Sequence, residues 1–398
     1  MDTSLDFDLI IIGGGPGGST LGALLAKRGL SVAIVEKSEF PRFAIGESLL
    51  PYSMDVLKES GVYDKVESSG AFLKKYGAQF IDWQWEHEIG FDFIDGLDRV
   101  HGSAFEVQRD QFDALLLEHA KSLGVTVFEG QSVQHFEECE NHIEITTTAQ
   151  TLRGRFLADA SGRSGVISRK LKIRKRRKEF NNIAVHGHFS GIKRSPGKRE
   201  GDIIVGILPK ASWSWVIPFK GEISSVGIVV DAKIHKGKDF DVDFIEEALD
   251  CHPLFQKMIG DMKSVSPIRI DSNYSEYSEK YYGARWILLG DAASFLDPVF
   301  STGVHMSLQS ASFASRLIEK AFQQSEKITS LSEAQSYTSK METGFERFRN
   351  LLRIFYGPDF MGAMAKVMKR PNSRRAFTSV VAGDAWNEEN DLFRMGVL

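Results

Sequence analysis

Gly13, Gly15 and Gly18 stand in the spacing Gly-x-Gly-x-x-Gly, directly after the apolar run Leu9 to Ile12. Each glycine answers a separate physical need. Gly13 permits a tight turn, Gly15 lets the backbone approach a pyrophosphate, and Gly18 lets a helix pack closely on a strand. The Ala/Leu-rich segment that follows would offer its unpaired N–H groups and positive dipole end to the phosphates. A second apolar run, Val32 to Val35, ends at Glu36, about 20 residues on, where an acid bonds ribose hydroxyls. A merely tight turn between strand and helix would need neither the second strand nor its terminal acid. The chemistry these spacings support is dinucleotide binding.

The elements that must position this site follow from pattern. Leu9 to Ile12 reads as a strand buried on both faces, as in a parallel sheet. Pro41 to Pro51 is a proline-bounded loop leading to a helix over Tyr52–Ser60, with Gly61 as its stop. Lys75 to Phe80 alternates like a strand within an aromatic- and glycine-rich stretch. Asp110 is a candidate N-cap for a helix that Gly124 ends. Val125–Phe128 reads as a third parallel strand, with further strands at Ile143–Thr148 and Phe156–Asp159. From Asn181 to Asp271 apolar and polar residues alternate repeatedly, which suits an antiparallel sheet with one covered face. Nucleotide-domain chemistry returns at Trp286 to Asp291. Gly303–Gln324 and Ser332–Met368 are helical in pattern. The expected architecture is therefore α/β: a discontinuous Rossmann-like domain over 1–70, 99–180 and 280–325, an inserted antiparallel sheet domain over 71–98 and 181–279, and a helical region over 326–398.

Composition narrows the function classes. The chain has 398 residues, 42% hydrophobic and 26% charged, with a net charge of −4. These values suit a globular protein without general nucleic-acid affinity. Two cysteines, Cys139 and Cys251, argue against a disulfide framework or a four-cysteine metal site, so no metal is expected. The glycine motif lies too near Met1 for a cleavable signal, and no apolar stretch reaches bilayer length. A cytoplasmic protein without a transmembrane segment is expected. A basic run from Arg169 to Lys178 reads as a solvated connector or a dock for an acidic partner such as a carrier protein.

The arrangement resembles the flavoprotein monooxygenase superfamily, on the glycine motif with Glu36, on Asp159-Ala-Ser-Gly162 and on Gly290-Asp291. The resemblance implies bound FAD. It implies cofactor contacts from Gly13, Gly15, Gly18, Glu36, Lys37, Arg42, Ser48, Arg109, Val133, Asp159, Asp291, Pro298 and Gly303. Two further motifs are similar to those of flavin-dependent halogenases: Trp213-Ser-Trp215-Val-Ile217-Pro218, and Phe295-Leu-Asp-Pro298-Val-Phe-Ser301-Thr302-Gly303. Trp213 and Trp215 share one face of a strand and would separate flavin from substrate, with Pro218 closing the motif. Elsewhere such a pair simply fills a sheet core. The Thr302 and Gly303 amides, at a helix N-terminus, would hold a halide. Lys74-Lys75-Tyr-Gly77 resembles the lysine segment of the phenol- and pyrrole-acting subgroup. Alternation lets only one of the two lysines point inward, and Lys75 is the expected catalytic one, with its pKa lowered in a dry tunnel.

The resemblance implies a halogenase that uses reduced FAD (FADH2), oxygen and chloride or bromide, by way of a flavin C4a-hydroperoxide and hypohalous acid. A separate flavin reductase would supply FADH2, because only one dinucleotide motif is visible. In tryptophan-type members a glutamate precedes the Ser-Thr-Gly triplet. Here that place is Phe300, which favours an activated ring, phenol or pyrrole, free or on an acyl or peptidyl carrier protein. Three alternatives share the nucleotide domain: a geranylgeranyl-reductase-like flavin reductase, an FAD-dependent aromatic hydroxylase, and a flavin-binding redox sensor.

Overall fold

The computed structural model describes residues 5–84, 88–177, 179, 181–210, 212–235, 239–272 and 275–398. The Phe7–Ile12 strand is flanked in parallel by Val32–Val35 and by Thr151–Asp159, and Thr126–Phe128 extends the sheet beyond Val32–Val35. Thr151–Asp159 has two partners along its length. Its first half pairs antiparallel with Ile143–Thr147, and its last residues pair in parallel with Trp286–Leu288. Thus Ile12, Asp159 and Leu288, from three remote segments, end side by side in register. Strand C-terminal ends in open parallel sheets are where ligands bind. The core strands carry Leu, Ile and Val on both faces, and Leu9 to Ile11 are fully buried.

Among the described residues a second sheet holds eight strands, including Asn182–Ser190, Ile203–Leu208, Ser212–Pro218 and Ser224–Asp231. Neighbouring pairs are antiparallel except one: Ile203–Leu208 runs parallel to Gly77–Asp82, with Ile203 opposite Ala78. The expectation of one covered face is corrected. Ser212–Pro218 and Gly77–Asp82 are buried throughout. On one side Ile204, Val216 and Ile228 pack with Phe244, Ile245 and Phe255 of the helices Val242–Leu249 and Pro253–Ile259. On the other, Trp213, Trp215 and Ile217 join the core shared with the C-terminal helices.

The expected strand over Lys75–Phe80 is two strands that part at Tyr76. Leu73–Lys75 pairs with Ala104–Glu106, whereas Gly77–Asp82 joins the second sheet. Asp110 is not an N-cap. The helix begins at Arg109 with Gln108 as its cap residue, and Asp110 lies in the first turn, where its carboxylate favours the dipole. The helical stretch from Ser332 divides into Glu333–Phe355 and Phe360–Met368, broken at Gly357-Pro358. No helix among the described residues is long and apolar enough to cross a membrane.

Candidate active site

The glycine loop has the shape a phosphate cradle requires. Gly13 has φ +99°, and a Cβ there would lie 2.5 Å from Ala160 O, so the crossing of two strand ends requires glycine. A Cβ at Gly18 would sit 1.9 Å from Gly13 O, within the helix–strand contact. Gly15 differs: its φ is −70°, and the nearest group to an added Cβ is Arg42 Nη2 at 3.4 Å. The space it leaves opens onto a cavity of about 550 Å³, at the start of the Pro16–Ala26 helix. Glu36 ends its strand on the same wall, accepting from Gly14 N at 2.7 Å and Ser38 N at 2.9 Å. A carboxylate has further lone pairs to offer a ribose. An open backbone at a helix N-terminus beside this acid matches the pyrophosphate and ribose of FAD.

Two arginines share one buried carboxylate. Arg109 Nε and Nη2 donate to Asp113 at 2.7 and 2.8 Å, one helical turn on, and Arg42 Nη1 lies 3.0 Å from the same group. Burial works against the Arg109 charge, but Asp113 more than offsets it and raises its pKa. Arg109 also donates to Ile45 O. Both guanidiniums line the cavity and can face a diphosphate. Burial pushes Asp291 up to about 6, against Arg174, Arg109 and Arg163.

The second sheet closes the cavity with Trp213 and Trp215, ring centroids 5.7 Å apart. Both indoles are pinned. Trp215 Nε1 donates to Ser225 Oγ at 3.1 Å, and its ring lies where a Cβ of Gly227 would be, 2.2 Å away. Trp213 Nε1 donates to Tyr356 Oη at 2.9 Å, and Tyr356 donates to Asp297 Oδ2 at 2.9 Å. Asp297 caps the Pro298–Phe300 turn, so the loop, the indole and the end of a C-terminal helix are tied together. Ser301 then takes φ +57° and launches the Thr302–Gln324 helix. Gly303 is on the cavity wall, where an added Cβ would meet nothing closer than Phe295 at 3.7 Å. Its N–H and that of Thr302 are first-turn donors without helical acceptors.

Lys75 and Lys74 do point opposite ways. Lys74 pairs with Glu67 in solvent, while Lys75 is 1% exposed. Lys75 Nζ donates to Ser48 Oγ at 2.6 Å and Leu49 O at 3.3 Å, with Glu106 Oε1 at 3.8 Å. Burial holds its pKa below the usual lysine range, against Glu106 and Asp202. Ser48 lines the cavity; Lys75 lies one hydrogen bond behind it rather than in an open tunnel.

Of the expected cofactor residues, Gly13, Gly15, Glu36, Lys37, Arg42, Ser48, Arg109, Val133, Asp291, Pro298 and Gly303 line the cavity. Gly18 lies beneath it. Asp159 is fully buried and its carboxylate is spent on Ser161 N at 3.0 Å and Ile167 N at 2.7 Å. It therefore shapes the segment Ala160 to Ser164, which does line the cavity. Pro218 and the Thr302 side chain are buried away from the wall. Sequence reasoning passed over Asp113, although Arg109 and Asp113 stand one helical turn apart. It also missed Glu47 with His188, 2.7 Å apart, and Arg163 with Asp271 and His186. These pairs join remote segments and leave no local spacing to read. The basic run is neutralised in part: Arg169 and Arg174 share Glu276, and Lys175 pairs with Glu279. Lys178 lies outside the described residues.

Comparison with known proteins agrees with the cradle. Residues 6–339 match the FAD binding domain family. A 1H-pyrrole-2-carbonyl-[peptidyl-carrier protein] chlorinase from Pseudomonas fluorescens is 31% identical, over 96% of this chain and 90% of the relative. A tryptophan 2-halogenase from Chondromyces crocatus is 33% identical, over 87% and 67% of the two chains. A solved flavoprotein/dehydrogenase from Cytophaga hutchinsonii superposes with a TM-score of 0.88 at 28% identity, covering 97% and 95% of the chains. The chain belongs to the FAD binding domain family and, within it, to the flavin-dependent halogenases. It is an FAD-dependent enzyme of the oxidoreductase type.

Proposed function

We propose that this enzyme halogenates a phenol or pyrrole ring, with chloride or bromide as the halogen source. The observation that carries the reading is Lys75, a lysine without solvent contact held one hydrogen bond behind the cavity wall. Bound reduced FAD supplies the oxygen activation that converts halide to an electrophilic halogen. The chain supplies confinement and placement. Gly15, Arg42, Arg109 and Glu36 hold the dinucleotide, and the Thr302 and Gly303 amides hold the halide at a positive helix end. Trp213 and Trp215 keep the ring away from the cofactor. Lys75 acts on the electrophile through Ser48, which faces the cavity, and so aims it at the ring.

Phe300 packs against Phe80 and Phe355, so no carboxylate stands at that point to assist an unactivated ring. An electron-rich ring needs none, because its halogenated intermediate loses a proton readily. The pyrrole-carrier chlorinase supports delivery of the ring on a peptidyl carrier protein. A separate reductase supplies FADH2, and residues 1–70, 99–180 and 280–325 form the cofactor domain.

The test supplies reduced FAD from a separate reductase, halide, and a panel of free and carrier-tethered phenols and pyrroles. Mass spectrometry reads the halogen isotope pattern. Wild type is expected to form halogenated product, and Lys75→Ala and Lys75→Met none, while both variants still bind FAD. Halogenation by Lys75→Met at the wild-type rate would remove Lys75 from the mechanism. Absence of product from wild type across the panel would overturn the substrate class.

A further inference from the structure

The lysine does not stand alone. Leu73–Lys75 pairs antiparallel with Ala104–Glu106, placing Lys75 opposite Ala104 and Leu73 opposite Glu106. Lys75 and Glu106 are therefore diagonal neighbours on one face. Glu106 is 0% exposed, and its Oε1 accepts from Ser48 Oγ at 3.0 Å. Ser48 in turn accepts from Lys75 at 2.6 Å. The serine thus bridges amine and carboxyl, and it faces the cavity. Its place is fixed by backbone: Leu49 N donates to Phe105 O at 3.0 Å, and Val107 N donates to Glu47 O at 2.7 Å. The other carboxyl oxygen, Glu106 Oε2, is buried with no hydrogen-bond partner. An orphaned carboxylate oxygen is costly, whereas a protonated carboxyl is much less so.

The geometry points to Glu106 as the positioning residue of Lys75: through Ser48 it takes up and returns the proton that switches the amine between charged and neutral forms. The inference rests on the halogenase reading, in which Lys75 acts on the electrophile. The transfer balances without any further reactant. An N–H bond of the ammonium breaks as Ser48 Oγ gains that proton, and the Ser48 hydroxyl proton passes to Glu106 Oε1. Amine and carboxyl are then both neutral and the serine is unchanged.

The surroundings favour this neutral pair. The Phe93 ring, its centroid 5.3 Å from Nζ, favours the charged amine, but burial works the other way on both groups. Burial pushes Glu106 up to about 8; Lys75 and the Ser48 hydrogen bond oppose that, while Asp202 and Glu47 reinforce it. Asp202 is itself held by Arg199 at 3.0 Å, and Glu47 by His188 at 2.7 Å, so neither competes for the lysine proton. No other part of the proposed mechanism uses Glu106. A carboxyl group beside the lysine is thus supplied from a neighbouring strand, although Phe300 supplies none from the loop.

The test is Glu106→Gln, which keeps the shape and the Ser48 contact but cannot exchange a proton. FAD affinity and the rate at which the enzyme's reduced flavin is oxidised by oxygen should stay within about twofold of wild type. Halogenation should fall about 100-fold, the lower range of general acid–base effects. The wild-type pH profile should show a limb near pH 8 that the variant lacks. A readout independent of turnover is the infrared spectrum of the cofactor-free protein. Wild type should show a protonated carboxyl band that disappears as pH rises through about 8, and Glu106→Gln should lack it. Halogenation by Glu106→Gln at the wild-type rate with the same limb, from a wild type that halogenates, overturns this inference alone. No product from wild type defeats the underlying reading instead, and the infrared titration still decides the proton sharing. If Glu106→Gln does not fold, Ser48→Ala takes its place: retention of rate and limb with the bridge removed overturns the proposal, and loss of both supports it.

Discussion

At the residue scale the cavity is made by carboxylates that hold other side chains rather than by the groups facing the ligand. Asp113 is fully buried and pairs with both Arg42 and Arg109. Removing its charge leaves two cations facing each other in a partly dry site, the costly way to break a buried pair. Asp113→Asn is expected to lower stability by about 3 kcal/mol, with a shifted midpoint and unchanged slope in denaturant unfolding. A midpoint equal to wild type would mean that solvent, not Asp113, carries the arginine charges. Part of this was legible before any coordinates. Glu36 and the glycines announce themselves by spacing, whereas Arg42 and Arg109 are suggested only by the family resemblance. Glu106 and the His188–Glu47 pair do not announce themselves, because their partners lie on strands distant in sequence.

At the scale of elements, the Thr302–Gln324 helix joins the site to the core. Its first turn faces the cavity at Gly303. Two residues later His305 is 1% exposed, with Nδ1 3.0 Å from Ser53 Oγ and Nε2 without a partner. Burial pushes its pKa down to about 4. In the unfolded chain the imidazole gains its proton near pH 6.5, so between about 6.5 and 4 the unfolded state binds more protons. The contribution is fully present above about pH 6.5 and falls as pH drops through that window, by about 3 kcal/mol in all. Unfolding of wild type and His305→Gln from pH 7 to about pH 4 should differ in slope, the variant being flatter. Equal slopes would place the acid sensitivity elsewhere. Helix stops at Gly61 and Gly124 were readable because each takes a positive φ. The split of Lys75–Phe80 into two strands was not readable, because the choice of sheet is made by remote partners, Ala104–Glu106 and Ile203–Leu208. The double covering of the second sheet was hidden for the same reason: alternation reports one buried face and says nothing of helices packed on the other.

At the scale of the whole molecule, the cavity proposed for the cofactor is the place where the two sheets meet. Its wall takes Ile12 and Val35 from the first sheet and Ile203, Trp213, Trp215 and Ile217 from the second. A ligand there binds only when both are folded, so it must stabilise them together. At 100 times its dissociation constant FAD adds about 2.7 kcal/mol. For a chain of this size that corresponds to a rise in Tm of roughly 3 °C if the molecule unfolds as one unit. Gly15→Val separates binding from folding. Its φ of −70° suits valine, and an added Cβ meets only the Arg42 guanidinium, at 3.4 Å, so the variant should fold. The branched side chain would occupy the space left for pyrophosphate, so the rise in Tm should vanish. Gly13 and Gly18 cannot serve, because a Cβ at either strikes backbone. Indole fluorescence of a variant that keeps only Trp213 and Trp215 of the six tryptophans, and far-ultraviolet dichroism, which reads all elements, should report the same shift. A cofactor that moved the dichroism transition but not the indole transition would show that the sheets unfold separately, and the second sheet would then be a lid on the site rather than part of its foundation.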